Sequence, residues 1–197
     1  MLRKSTDIRQ EEIKRAVLTI IHRDGLKNIS TKNLAKEVGI SEGTIFRHFQ
    51  SKNDIMMGII DDVSQGLIEE LKKITLLDKP ADKRLFDLLC KTVTYLVENK
   101  GITILLFSEA SYDNDTVMLK KLNYIFNSQK QLAGKIISDG IAAGIWDKTI
   151  SIEDVTTLYM GIPITLNIEM ILNGEKFQYK NFCNRMYNLM LKILMKT

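Results

Sequence analysis

The chain has 197 residues, 45% of them hydrophobic and 26% charged, with a formal net charge of +4. Enough apolar material is present to offset the entropy of ordering, which excludes a disordered chain. With only two cysteines, far apart at Cys90 and Cys183, and two histidines, a disulfide scaffold, a thiolate zinc site and a dedicated metal centre are excluded, so neither metal nor cofactor is expected.

The length suits one large domain or two small ones. The first ten residues, Met1 to Gln10, are polar and charged, with no secretory signal, and point to the cytoplasm. Residues 1–55 hold eleven Lys/Arg against seven Asp/Glu, so the whole charge excess sits there; the remainder is balanced. A solvated basic face and a phosphate-bearing partner account for that excess equally well, and motifs must decide between them.

Nearly every segment reads at helical period. Ile13, Ala16, Val17, Ile20 and Ile21 follow i, i+3, i+4, i+7, i+8, with Gly25 as the C-terminal stop. Two short helices are predicted at 31–38 and 42–48. A long one starts near Ser51, where Ser51 and Asp54 form an S-x-x-D cap, and carries Ile55, Ile59, Val63, Leu67 and Leu71 as far as Asp78-Lys79-Pro80. Further helices are predicted at about 82–99, 102–110, 115–143, 152–173 and 179–196. The breaks between them carry turn residues, at Asn99-Lys100-Gly101, Asp113-Asn114-Asp115, Gly144 to Asp147 and Asn173-Gly174-Glu175. No run alternates at period two. The fold class is therefore all-α, with roughly nine helices. A small domain at 1–50 and a larger helical one at 51–197 are expected.

Residues 31–49 read TKNLAKEVGISEGTIFRHF. Leu34 and Val38 lie one turn apart and face inward, while Ala35 is small where a second helix must cross. Gly39 sits where the turn needs a left-handed backbone. Ser41 is placed to cap the next helix, and Ile45 and Phe49 bury that helix on the first. This is a helix-turn-helix. It leaves Glu42, Gly43, Thr44, Phe46, Arg47 and His48 on a small polar face of major-groove size.

At these residues, within about 8–60, the chain resembles the TetR family of bacterial transcriptional regulators. The stretch GISEGTIFRHFQSKNDI carries the family's Gly turn, Ser cap, Gly-Thr pair, aromatic, His-Phe and following Lys. The resemblance implies a three-helix DNA-binding domain, followed by a helical domain that dimerises and holds a small-molecule pocket. It implies that Thr31 contacts phosphate at a helix N-terminus and that Lys32 reaches a phosphate or base edge. It further implies that Gly43 and Thr44 approach bases, Arg47 reads guanine, and His48 and Lys52 anchor the DNA backbone. Phe46 replaces a common Tyr and retains only apolar contact with DNA. Without a partner, Thr31 and Ser41 read as plain caps and His48 as a core histidine. A first-turn cation such as Lys52 is disfavoured by the helix dipole.

In the C-terminal part, Val155 to Leu172 has a single charge, Glu169. It is short for a membrane span, carries Thr, Asn and Glu, and has Pro163 in its middle; no membrane contact is expected. On the last helix, Phe182, Met186, Leu189, Met190 and Ile193 form one stripe, and Cys183, Tyr187, Leu191 and Leu194 another. One stripe can pack on its own protomer and the other needs a partner. The last two helices are therefore expected to make a four-helix homodimer interface, against the alternative of a large monomer core. Phe86, Leu89, Cys90, Val93, Phe107, Tyr112, Tyr124 and Phe126 are candidate lining for an apolar effector site, although aromatics at helical spacing also serve as plain core.

No nucleophile with an adjacent base, metal set or Gly-rich phosphate loop is present, so no enzymatic site is expected. The expected function is a homodimeric repressor of transcription, bound to palindromic double-stranded DNA and released by a small hydrophobic effector. A helical domain that binds another protein is the competing reading.

Overall fold

The computed structural model describes residues 5–173 and 180–195, and the backbone alone at His22 and Leu26. The described residues are helical throughout, with no strand. They divide into two compact units, Met1–Asp62 and Val63–Thr197. The first unit thus reaches past residue 50, where the charge excess had suggested a boundary. The expected ends of the last helix at 179 and 196, and Gly174-Glu175 of the preceding turn, lie outside the described residues.

The first unit contains α1 (Thr6–Asp24), a 3-10 turn (Leu26–Asn28), α2 (Thr31–Val38), α3 (Glu42–His48) and most of α4 (Lys52–Val63). The Ser5 hydroxyl caps α1 by accepting from the Ile8 amide at 3.4 Å, and Gly25 ends it. All five residues of the α1 stripe are buried, together with Leu34 and Ala35 of α2, Ile45 of α3 and Ile55, Met56, Ile59 and Ile60 of α4. Each fully buried large apolar side chain contributes about 1.5–3 kcal/mol, and ten of these twelve residues are of that kind, the other two being Ala16 and Ala35. Lys14 of α1 bridges Glu11 and Asp62, each at 2.5 Å. Burial works against its charge, but the two carboxylates outweigh that and raise its pKa.

The second unit follows with a π-helical turn (Ser64–Ile68), α5 (Glu69–Thr75), α6 (Ala81–Glu98), α7 (Ile102–Tyr112), α8 (Thr116–Ala142), α9 (Ile152–Asn173) and α10 (Phe182–Leu194). The single long helix read from the sequence is thus α4, a π turn and α5. Its stripe has a strict spacing of four, which drifts about 40° per step on an ideal α-helix. The wider π turn sets part of that drift back, and all of Ile55, Ile59, Val63, Leu67 and Leu71 are buried.

Within this unit α6 packs against α5, α8, α9 and α10. It buries Leu85, Leu88, Leu89, Thr92, Val93 and Leu96. The Arg84 guanidinium donates to the Thr75 carbonyl at 2.7 Å and to Asp139 of α8 at 3.1 Å, tying three helices together. Tyr159 of α9 is fully buried with its hydroxyl 3.4 Å from that of Thr92, and burial pushes the phenol up to about 12.

α9 is the one described helix long and apolar enough to cross a membrane. Its buried residues fall on a regular stripe: Val155, Thr156, Tyr159, Met160, Pro163, Leu166, Asn167 and Met170. Leu158, Ile164, Ile168, Ile171 and Leu172 are exposed. On α10 the buried residues are Tyr187, Met190 and Leu194, whereas Leu189 and Ile193 are half-exposed. The stripe containing Cys183 therefore faces the protomer, and Met190 joins it from the stripe to which the sequence pattern had assigned it.

Two cysteines are too few for a disulfide scaffold, but they do form one bond: Cys90 of α6 and Cys183 of α10 are joined as a disulfide, with Cα atoms 5.3 Å apart. Helix pairing brings distant segments together, and sequence distance does not report it.

Gly140 on α8 lies against the Trp146 ring, and a Cβ there would overlap the ring atoms. The Gly140→Ala variant is expected to lose about 1–3 kcal/mol through overpacking, or about 2–4 °C in Tm per kcal/mol for a chain of this size. Thermal unfolding followed by circular dichroism checks this, and an unchanged Tm would show that Trp146 moves aside freely.

Candidate nucleic-acid interface

The candidate interface is built on α2, its turn and α3. Ser30, not Thr31, caps α2, its hydroxyl accepting from the Asn33 amide at 3.1 Å. Gly39 is left-handed, with φ 73° and ψ 39°. Ile40 N–H donates to the Ala35 carbonyl at 2.9 Å, and Gly39 N–H to that of Lys36 at 3.3 Å, closing α2 as a Schellman-type end. Only a residue tolerant of positive φ makes this turn cheaply.

α3 begins after Ser41. The Ser41 hydroxyl makes no backbone cap and instead lies 2.9 Å from the Thr44 hydroxyl. Ile45 anchors the helix at 1% exposure. Phe49, which ends α3 in extended conformation, places its ring 3.4 Å from the position of a Cβ on Gly58 of α4. Phe49 therefore helps bury α3 against α4, not against α2 alone. The opposite face is open: Glu42, Gly43, Phe46 and Arg47 are all exposed, Phe46 at 54%. A Cβ on Gly43 would meet nothing nearer than the Ser41 hydroxyl at 4.0 Å, so internal packing does not demand glycine there.

The remaining expected contacts surround this face. Lys32 is exposed in the first turn of α2 and Lys52 opens α4. The cap read at Ser51 and Asp54 forms: Asp54 N–H donates to the Ser51 hydroxyl at 3.1 Å, and the Asp54 carboxylate accepts from the Gln50 N–H, one residue before the cap, at 3.0 Å. Thr31 is engaged, its hydroxyl donating to the Glu42 carboxylate at 2.9 Å. His48 keeps a buried Nδ1 with no hydrogen-bond partner, and its carbonyl accepts from the Gln10 side chain at 3.2 Å. Sequence reasoning missed Ser30, Gln10 and the role of Glu42 as acceptor. The cap was legible one residue upstream; the other two contacts depend on how helices cross.

The candidate effector residues do not come together as one lining. Leu89 and Val93 are buried on α6. Phe86 is edge-on to Tyr187, ring centroids 5.0 Å apart, and Cys90 is in the disulfide. Phe107 and Tyr112 on α7, and Tyr124 and Phe126 on α8, are exposed, Tyr112 at 85%. An open polar cleft of about 470 Å³ lies elsewhere, in the first unit, lined by Arg23, Asp24, Asn28, Asn33, Lys36 and Glu37.

Comparison with known proteins bears on the same segment. Residues 15–57 match the model of "Bacterial regulatory proteins, tetR family". The nucleoid occlusion factor SlmA of Shewanella woodyi is 30% identical over 119 residues, 60% of this chain and 60% of that protein. SlmA of Aliivibrio fischeri is 29% identical over the same length, which is 61% of its own. The match thus spans about three-fifths of these relatives. Among solved structures, the fold is shared with the ketosteroid transcriptional regulator KstR2 of Mycobacterium tuberculosis, at TM-score 0.80 and 14% identity over 96% of both chains. It is shared also with the regulator FadR from Bacillus subtilis in complex with stearoyl-CoA, at TM-score 0.74 and 20% identity, covering 91% of this chain and 96% of that one. The helix-turn-helix forms within residues 15–57, the segment that matches the tetR family of bacterial regulatory proteins, and the helical fold of these regulators is shared along nearly the whole chain.

Proposed function

We propose that this TetR-family DNA-binding regulator acts as a homodimeric repressor on a palindromic operator and is released by a small hydrophobic effector. The observation that carries the reading is the open face of α3. Ile45 is its fully buried anchor, while Glu42, Gly43, Phe46 and Arg47 are exposed together. A helix of this kind enters a major groove through its N-terminal residues. Gly43 lets the backbone approach base edges, Arg47 reads guanine through its two-pronged donor set, and Thr44 supports the same approach. Thr31, Lys32, His48 and Lys52 hold phosphates, and Phe46 gives apolar contact. The Thr31–Glu42 hydrogen bond is between groups at the surface, so exchanging it for a phosphate contact costs little. Glu42 repels phosphates and lowers affinity for indiscriminate sequence.

Dimerisation is supported by the exposed apolar residues of α9 and α10. Leu158, Ile168 and Leu172 on α9, and Leu189 and Ile193 on α10, are large apolar side chains that a soluble monomer would leave in water. Two-fold pairing of such faces presents two α3 helices to a palindrome. An apolar effector is supported by the FadR complex with stearoyl-CoA, a protein of the same fold. Its differential affinity for two conformations changes operator binding through a coupling of about 1–3 kcal/mol. A second reading, a DNA-bound module that captures another protein, is favoured by the nucleoid occlusion relatives and by the exposed aromatics of α7 and α8.

Fluorescence anisotropy with a duplex from upstream of the chain's own gene, against a scrambled duplex at graded salt, tests the DNA reading. The native duplex is expected to bind far more tightly. Arg47→Ala should cost about 1–3 kcal/mol and relax specificity, while Lys52→Ala should lower the salt slope by about one. Gly43→Ala should keep its fold, with stability equal or higher by about 0.5–1 kcal/mol, and still bind the duplex more weakly. Failure of an intact dimer to select any sequence from a random library would sink the reading. Sedimentation tests the interface: Ile168→Lys and Ile193→Lys should each shift dimer to monomer, and a wild-type chain that is monomeric at micromolar concentration would remove the homodimer.

A further inference from the structure

We propose that Cys90 and Cys183 form a reversible thiol–disulfide site that exchanges with low-molecular-weight disulfides and thereby adds or removes a covalent tie that stabilises α10 on α6. The two Cα atoms are 5.3 Å apart, inside the usual range of about 4.4–6.8 Å. Neighbouring contacts hold the same alignment without the bond. One turn beyond Cys183, the Tyr187 hydroxyl donates to the Asp82 carbonyl at 2.7 Å. One turn before Cys90, Phe86 meets the Tyr187 ring edge-on at 5.0 Å. The reduced thiols therefore stay side by side, and re-forming the bond needs no search. Neither cysteine is fully buried, so a small reagent reaches both.

The two sulfurs differ. Cys183 is the second residue of α10, in a first turn whose N–H groups have no helical partner. That position favours the thiolate. Cys90 lies mid-helix in α6 without such help. Cys183 is therefore the attacking thiol. Its thiolate attacks a small disulfide, forms a mixed disulfide and expels one small thiolate, which takes up the proton Cys183 released. The Cys90 thiolate then attacks the Cys183 sulfur and expels the second small thiolate, which takes up the proton of Cys90. Two protein thiols are oxidised and one small disulfide is reduced to two thiols; excess small thiol reverses both steps. A chain that works beside the chromosome meets thiol-reducing conditions, where protein disulfides are transient and regulatory. That last step rests on the function proposed above, whereas the site itself does not.

The test equilibrates the full chain in glutathione buffers of graded oxidation, then alkylates and maps the cysteines by mass spectrometry. The Cys90–Cys183 bond should appear and disappear reversibly. Cys183 should alkylate several-fold faster than Cys90 in the reduced protein. The oxidised form should melt about 5–10 °C higher, with slower amide exchange in α10. Cys90→Ser and Cys183→Ser should each abolish that difference while keeping a helical spectrum. Thiols that remain reduced in every buffer, only mixed or interchain disulfides, or a bond that excess thiol does not open would each overturn the proposal. No readout involves DNA, so loss of the DNA reading would leave this result intact.

Discussion

What the N-terminal unit offers to a partner depends on one backbone conformation, the left-handed turn at Gly39. A non-glycine residue there would strain the turn by of order 1 kcal/mol. The turn sets the direction in which α3 leaves α2, and so which residues of α3 face inward. With that direction fixed, Ile45 becomes the buried anchor and Phe49 reaches the glycine of α4. Glu42, Gly43, Phe46 and Arg47 are left outside. The face is a consequence of what the turn and the core remove from solvent. The core is small, so the bridge of Lys14 to Asp62 adds a polar tie between α1 and α4.

The C-terminal unit answers a different constraint. Helices as apolar as α9 and α10 have more nonpolar surface than one packing face can cover. α9 resolves half of that by a regular buried stripe running from Val155 to Met170. Its polar members are handled individually. Thr156 returns its hydroxyl to the Glu153 carbonyl at 2.9 Å, and the Asn167 amide donates to Thr103 of α7 at 3.2 Å while its Oδ1 is buried without a partner. Pro163 sits within the same stripe and the helix continues past it. The other half of the apolar surface, from Leu158 to Leu172, is left at the surface. An apolar face of that length on a helix that is otherwise well packed is the physical ground for an intermolecular contact.

The helices themselves were legible because burial on one face imposes a 3.6-residue period. The α1 stripe, the α4–α5 stripe and the limits of α9 follow directly from it. Local chemistry was legible too. Gly39 announces its turn, and Ser51 with Asp54 announces a helix cap. Two kinds of information were not. One is pairing between helices remote in sequence, which decides that Cys90 meets Cys183, that Gln10 reaches the His48 carbonyl and that Thr31 finds Glu42. The other is which of two apolar stripes faces inward. On α10 both stripes are similar in size, and Met190 lies at their border. The aromatics of α7 and α8 show the same limit. Phe107, Tyr112, Tyr124 and Phe126 have helical spacing and an apolar body, yet all are exposed. Periodicity identifies a face; it does not say what covers it.

α10 shows how these constraints combine. It is a helix of 13 residues, close to the length at which an isolated helix is marginal in water. It persists because α6 supplies what its own backbone cannot. Leu194 and Met190 bury apolar surface, Tyr187 adds a ring contact and a hydrogen bond, and Cys183 adds a covalent link near its start. These supports act on one face, which leaves Leu189 and Ile193 directed away from it. A helix fixed so firmly on one side presents its other side as a rigid surface. A partner that binds there need not order the helix first, and association is favoured by the entropy already lost in folding.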